Sequence, residues 1–137
     1  MTRGKPAFRM SLEIVKQEID LLSIVNVSHA LDYLKFLNET FESFSAGHLK
    51  INFKLLLKED YEVGLGAEVF RAEVDLNKGT DSHVVGLEYL VKQVKTDKFI
   101  ICDYDVAIIC PNWDRIICFL MNQNVVVGTE YPPVGNK

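Results

Sequence analysis

The first third of the chain carries apolar residues at three- to four-residue spacing. Leu12, Val15, Ile19 and Leu22 form one such stripe, with Ser11 placed to cap it and Glu13 in its first turn, so the pattern predicts a helix running to about Val25. Asn26 and Ser28 interrupt that pattern and offer a second cap. Beyond them Leu31, Leu34, Leu37, Phe41 and Phe44 form a stripe on a second predicted helix ending near Ala46-Gly47.

At Leu49 the period falls to two. Leu49, Ile51, Phe53, Leu55 and Leu57 alternate with Lys50, Asn52, Lys54, Leu56 and Lys58, which predicts a strand with one dry and one wet face. Gly64-Leu65-Gly66 marks a connection, and the alternation of Phe70, Ala72, Val74 and Leu76 with Val69, Arg71, Glu73 and Asp75 predicts a second strand. Lysines of the first facing acids of the second suggest an antiparallel hairpin. Asp81 or Ser82 then caps a third predicted helix through about Val94, with Val84, Leu87, Leu90, Val91 and Val94 on one face.

From Lys98 onwards the runs Phe99–Cys102, Val106–Cys110, Arg115–Met121 and Val125–Glu130 read as buried strands. Pro132-Pro133 ends the last of them. The expected fold is therefore α+β, with two N-terminal amphipathic helices and a third mid-chain helix on one face of a largely antiparallel sheet. The expected organisation is a flexible basic arm over 1–10, a single domain over 11–133 and a frayed tail over 134–137.

Composition sharpens this little, and charge more. The 137 residues are 48% hydrophobic and 25% charged, as for an ordinary soluble globular domain, and the longest apolar runs fall far short of the ~20 residues that cross a bilayer. No membrane partner is expected. Residues 1–10 carry Arg3, Lys5 and Arg9 without an acid, whereas 11–46 set Lys16 and Lys35 against Glu13, Glu18, Asp20, Asp32, Glu39 and Glu42. The excess of that stretch matches the net charge of -4 of the whole chain. Only the arm is basic enough to displace phosphate counterions, so a nucleic-acid partner is not expected. Three cysteines and no apolar stretch behind the basic N-terminus suggest free thiols in the cytoplasm.

Few residues suggest chemistry. Cys102, Cys110 and Cys118 lack the close C-x₂₋₄-C pairs of a structural zinc site and each ends or continues an isoleucine run, so they read as core thiols. Gly64-Leu65-Gly66 begins a G-x-G pattern but meets Val69 where a third glycine belongs, and precedes a strand. No metal and no cofactor is expected. Asp103-Tyr104-Asp105 sets two carboxylates at i and i+2, a spacing able to hold a hard cation or an acid–base pair, in a segment that also suits a turn. Pro111-Asn112-Trp113-Asp114 puts the only tryptophan in a polar turn, where it either anchors a partner or folds back over the sheet.

These features favour a cytoplasmic, non-enzymatic protein-binding domain whose acidic surface engages a basic partner. Trp113, Asp114, Asp103, Asp105 and Tyr104 are its expected contact residues. An immunity or inhibitor protein that neutralises a toxin such as a nuclease is the most concrete form. A small acidic chaperone for a secreted client is one alternative. Another is a small enzyme or ligand-binding domain using Asp103 and Asp105 with a histidine, His48 or His83, in a pocket between helices and sheet. The apolar C-terminal strands also suit a dimer sheet.

Overall fold

A computed structural model describes residues 17–71, 80–123 and 126. The expected arm, the Leu12–Val15 turn, the Val125–Glu130 run and the tail lie outside these, apart from Val126. Strand β1 (Gln17–Val25) is followed by α1 (Ala30–Phe44), β2 (Leu49–Leu57), β3 (Glu68–Arg71), α2 (Thr80–Val91), β4 (Phe99–Ile101) and α3 (Trp113–Gln123). Among the described residues no helix is long and apolar enough to cross a membrane.

The four strands form one sheet in the order β3-β2-β1-β4, and every neighbouring pair is parallel. This overturns the antiparallel α+β expectation. The described residues form a small α/β fold with an all-parallel sheet and three helices.

From Gln17, where the described residues begin, the predicted first helix is the strand β1. Its register with β2 pairs Ile19 with Ile51 and Leu21 with Phe53, and with β4 it pairs Leu21 with Ile100. A central strand is covered on both faces, and all seven residues from Ile19 to Val25 are buried. An amphipathic helix would have kept a polar face for Asp20 and Ser23, yet both are buried here. The Ile19, Leu22 spacing is compatible with either structure. Burial on two faces decides it.

Helix α1 follows the pattern closely. Leu31, Leu34, Leu37 and Phe41 are buried against Ile19, Leu21, Val25, Phe53, Leu55 and Leu57 on one face of the sheet. The opposite face is covered by α2, where Leu90 packs with Leu22, Ile24 and Leu56, and Leu87 and Val94 join them. Val84 and Val91, expected on the same buried face of that helix, are exposed. Helices on both faces replace the expected one-sided packing. The chain steps from β1 outwards to β2 and β3 in one direction and returns through α2 to β4 on the other side of β1. Same-handed crossovers in opposite directions place their helices on opposite faces.

The expected hairpin is absent because β3 runs parallel to β2, with Lys54 opposite Glu68 and Leu57 opposite Arg71. Residues 58–67 carry the chain back along β2, through a turn in which Leu65 and Gly66 have φ of 68° and 60°. The acids expected opposite the lysines, Glu73 and Asp75, lie outside the described residues; Lys54 pairs instead with Glu68, ahead of the predicted strand, at 2.5 Å. Such a pair reports adjacency, not strand direction.

Two further expected strands are not strands. Residues 106–110 are a connection, held to α1 by the Ile108 N–H on Thr40 Oγ1 at 3.0 Å. The run from Arg115 to Met121 lies in α3, whose Trp113, Ile117, Cys118 and Met121 pack against the α1-side core while Arg115, Ile116 and Phe119 face outwards. Spacing of four between Trp113, Ile117 and Met121 is helical. The unbroken apolar run from Ile116 conceals it.

Candidate functional site at the carboxyl edge of the sheet

The loops that leave β1 and β4 stand side by side at the carboxyl edge of the sheet, and both lead to the face covered by α1, because α3 packs on the α1-side core. Open parallel sheets commonly bind ligands outside the carboxyl ends of their strands. Here that edge is formed by Asn26-Val27-Ser28-His29 after β1 and Cys102-Asp103-Tyr104-Asp105 after β4.

The β4 loop starts from a fixed point. The Cys102 N–H donates to Leu22 O at 3.1 Å, extending the ladder one residue beyond β4. Then exposure alternates: Asp103 is exposed, Tyr104 packs partly against the core, and Asp105 is exposed. Both carboxylates therefore stand in solvent on either side of an anchored tyrosine. They also act together on Cys102, whose thiol is pushed up to about 11, first by burial and then by the negative charge of Asp103 and Asp105. That thiol stays protonated at neutral pH and is no nucleophile.

Beside this loop stands the start of α1. His29 and Tyr33 lie one helical turn apart on the same face. The His29 ring sits edge-on to Tyr33 at 5.9 Å between centroids and to Tyr104 at 6.4 Å, and Tyr33 meets Tyr104 at 5.9 Å with a tilt of 38°. These three rings join the two loops.

Asp103, Tyr104 and Asp105 thus lie together at the carboxyl edge of the sheet, but Trp113 and Asp114 belong to another part of the fold. Trp113 is 5% exposed, stacks at 4.7 Å on Phe41 and donates its indole N–H to Phe41 O at 2.9 Å. Asp114 is fully buried and accepts from Ser45 Oγ, Ala46 N–H and His48 N–H at 2.8, 2.7 and 2.6 Å. Burial alone would raise its pKa, but these bonds outweigh burial and hold it down at about 2. Neither side chain is presented to a partner; together they dock α3 on the end of α1. His48 immediately precedes β2 at the amino edge of the sheet, a strand length of roughly 30 Å from the carboxyl edge. His83 is exposed on α2. The histidine beside the aspartates is His29.

A second polar feature lies on the α2 side of the sheet, near its amino edge. Lys54, only 4% exposed, bonds Glu68 and lies 3.9 Å from the buried Asp20 carboxylate, which also accepts the Lys95 N–H at 2.7 Å. Lys54, through this bond, holds the Glu68 carboxyl below its ordinary range. A cleft of about 630 Å³ opens over Glu18, Asp20, Asn52, Lys54, Glu68 and Lys95. Its buried charges are matched to one another and bind the sheet to the loop before β4. That leaves the carboxyl edge as the better candidate.

Among the described residues no three histidine, cysteine or acidic side chains converge as a metal cage. The aspartate pair suits instead a cation that takes its other ligands from water and phosphate, as Mg²⁺ commonly does. Compared with models of known protein families and with curated proteins, the chain matches none of them.

The aspartates were visible in the sequence, but Tyr33 and the role of His29 were not. Their i, i+4 spacing at the start of the second predicted helix was the available signal. What joins them to Tyr104 is the β1–β4 pairing, which a helix prediction over 11–25 rules out.

Proposed function

We propose that the chain is a nucleotide-binding domain that holds a nucleoside diphosphate through a divalent cation on Asp103 and Asp105. A nucleotide-activated sugar is the ligand class it fits best. The observation that carries this reading is the position of the Asp-x-Asp loop, at the carboxyl end of β4 beside the central strand of a parallel sheet.

The chemistry of the loops narrows the ligand. Dinucleotide cofactors are gripped by a glycine-rich turn after the first strand, and nucleoside triphosphates by a glycine-rich loop ending in lysine. Here that turn is Asn26-Val27-Ser28-His29, with neither glycine nor lysine. Charge neutralisation of a diphosphate therefore falls to a cation on the opposite loop. A cation held by two carboxylates keeps positions for phosphate oxygens and stabilises the charge that develops on a departing diphosphate.

Calorimetric titration with UDP and GDP, with Mn²⁺ or with EDTA, tests the reading. Binding is expected only with the metal, and Asp103→Asn and Asp105→Asn are each expected to abolish it without moving the thermal midpoint. Binding that survives EDTA or both substitutions, or no nucleotide binding by the unaltered chain, rejects it.

The alternative of a binder for a basic protein draws its support from α1, where Asp32, Glu39 and Glu42 surround the exposed Tyr33 and Phe36. With Trp113 and Asp114 buried it loses its central anchor. It becomes the leading reading if the nucleotide titrations are blank.

A further inference from the structure

Tyr33 is 49% exposed although it already touches two other rings, and His29 beside it is exposed as well. Exposed aromatic rings held in fixed mutual orientation lose little freedom when a ligand stacks on them. The orientation here is set from both loops. Tyr33 and His29 are carried by the first turns of α1, and Tyr104 is wedged against the core between the two aspartates. A nucleotide whose diphosphate lies at Asp103 and Asp105 has its planar base within reach of the same loop.

We propose that Tyr33 and Tyr104, braced by His29, form a stacking seat for the nucleobase. The seat rests on the nucleotide reading above and adds the part of the ligand that the aspartates do not touch. Stacking accepts any base, because every base presents a π face. The seat therefore gives affinity without strong discrimination, and ADP and UDP bind within a few-fold of each other, the larger purine the tighter.

The test is to titrate the full chain with UDP and with inorganic pyrophosphate, both with Mn²⁺. Tyr33→Ala is expected to weaken UDP at least about fivefold and to leave pyrophosphate unchanged, while Tyr33→Phe keeps the affinity for both. The thermal midpoint of Tyr33→Ala stays with that of the parent. An unchanged UDP affinity in Tyr33→Ala, or an equal loss for pyrophosphate, overturns the seat. So does a parent chain that binds UDP no better than pyrophosphate, which leaves the cation site standing. A parent that binds neither removes the nucleotide reading and the seat with it.

Discussion

His48 donates its backbone N–H to the Asp114 carboxylate at 2.6 Å, joining the first residue ahead of β2 to the first turn of α3 across 66 positions of sequence. The same carboxylate holds Ala46 N–H and Ser45 Oγ, so one buried aspartate fixes the whole connection between α1 and β2.

This latch titrates. With a folded pKa of about 2 against an ordinary 3.8, Asp114 contributes stability that is complete above pH 4 and is lost as pH falls from about 4 towards 2. The contribution is about 2 kcal/mol. Chemical denaturation of Asp114→Asn is expected to show a loss of that order at pH 7 and a smaller difference from the parent at pH 2.5. An equal difference at both pH values contradicts the assignment.

Lys54 neutralises Asp20 within the sheet, and removing one partner of a buried pair strands the other. Lys54→Met is expected to lower stability by about 3 kcal/mol at pH 7, measured by urea unfolding. The double variant Lys54→Met, Asp20→Asn should recover part of that loss. Failure to recover any would show that the lysine stem, rather than its charge, matters.

Ser23 is 1% exposed, and its hydroxyl has no hydrogen-bond partner among the described residues. Replacing it removes a desolvated polar group at little cost in volume. Ser23→Ala is therefore expected to stabilise the chain by about 1 kcal/mol in the same urea assay. A loss of stability would mean that the hydroxyl is satisfied in solution.

The thiols should separate by reactivity. Cys102 is pushed up to about 11 and Cys118 is raised by burial and by Asp114, whereas Cys110 is exposed on the connection before α3. Timed modification with a disulfide reagent at pH 8 is expected to label Cys110 first. Asp103→Asn with Asp105→Asn should speed labelling of Cys102, because two charges that oppose its thiolate are gone.

Legibility in the sequence followed the number of faces each element buries. Helix α1 buries one stripe, and Leu31, Leu34, Leu37 and Phe41 announced it. Strand β1 buries two faces, so its apolar residues carry no period that separates strand from helix. Helix α3 was hidden because Ile116 and Phe119 are apolar yet face outwards, filling the gaps in its stripe. Strand direction was out of reach, since Lys54 and Glu68 pair equally well in either sense. For the candidate site, Asp103 and Asp105 stood out as a local pattern. Their neighbours Tyr33 and His29 are some 70 positions away and meet them only once β1 and β4 are paired.

That pairing has a consequence during synthesis. Because Asp20 is matched with Phe99 and Leu22 with Ile101, the central strand leaves the ribosome long before its second neighbour exists. One edge of β1 stays open until β4 has been made, long after β2. Such an edge invites pairing with another strand. Slow translation of the stretch between β3 and β4 would lengthen that window and raise the yield of aggregated chain.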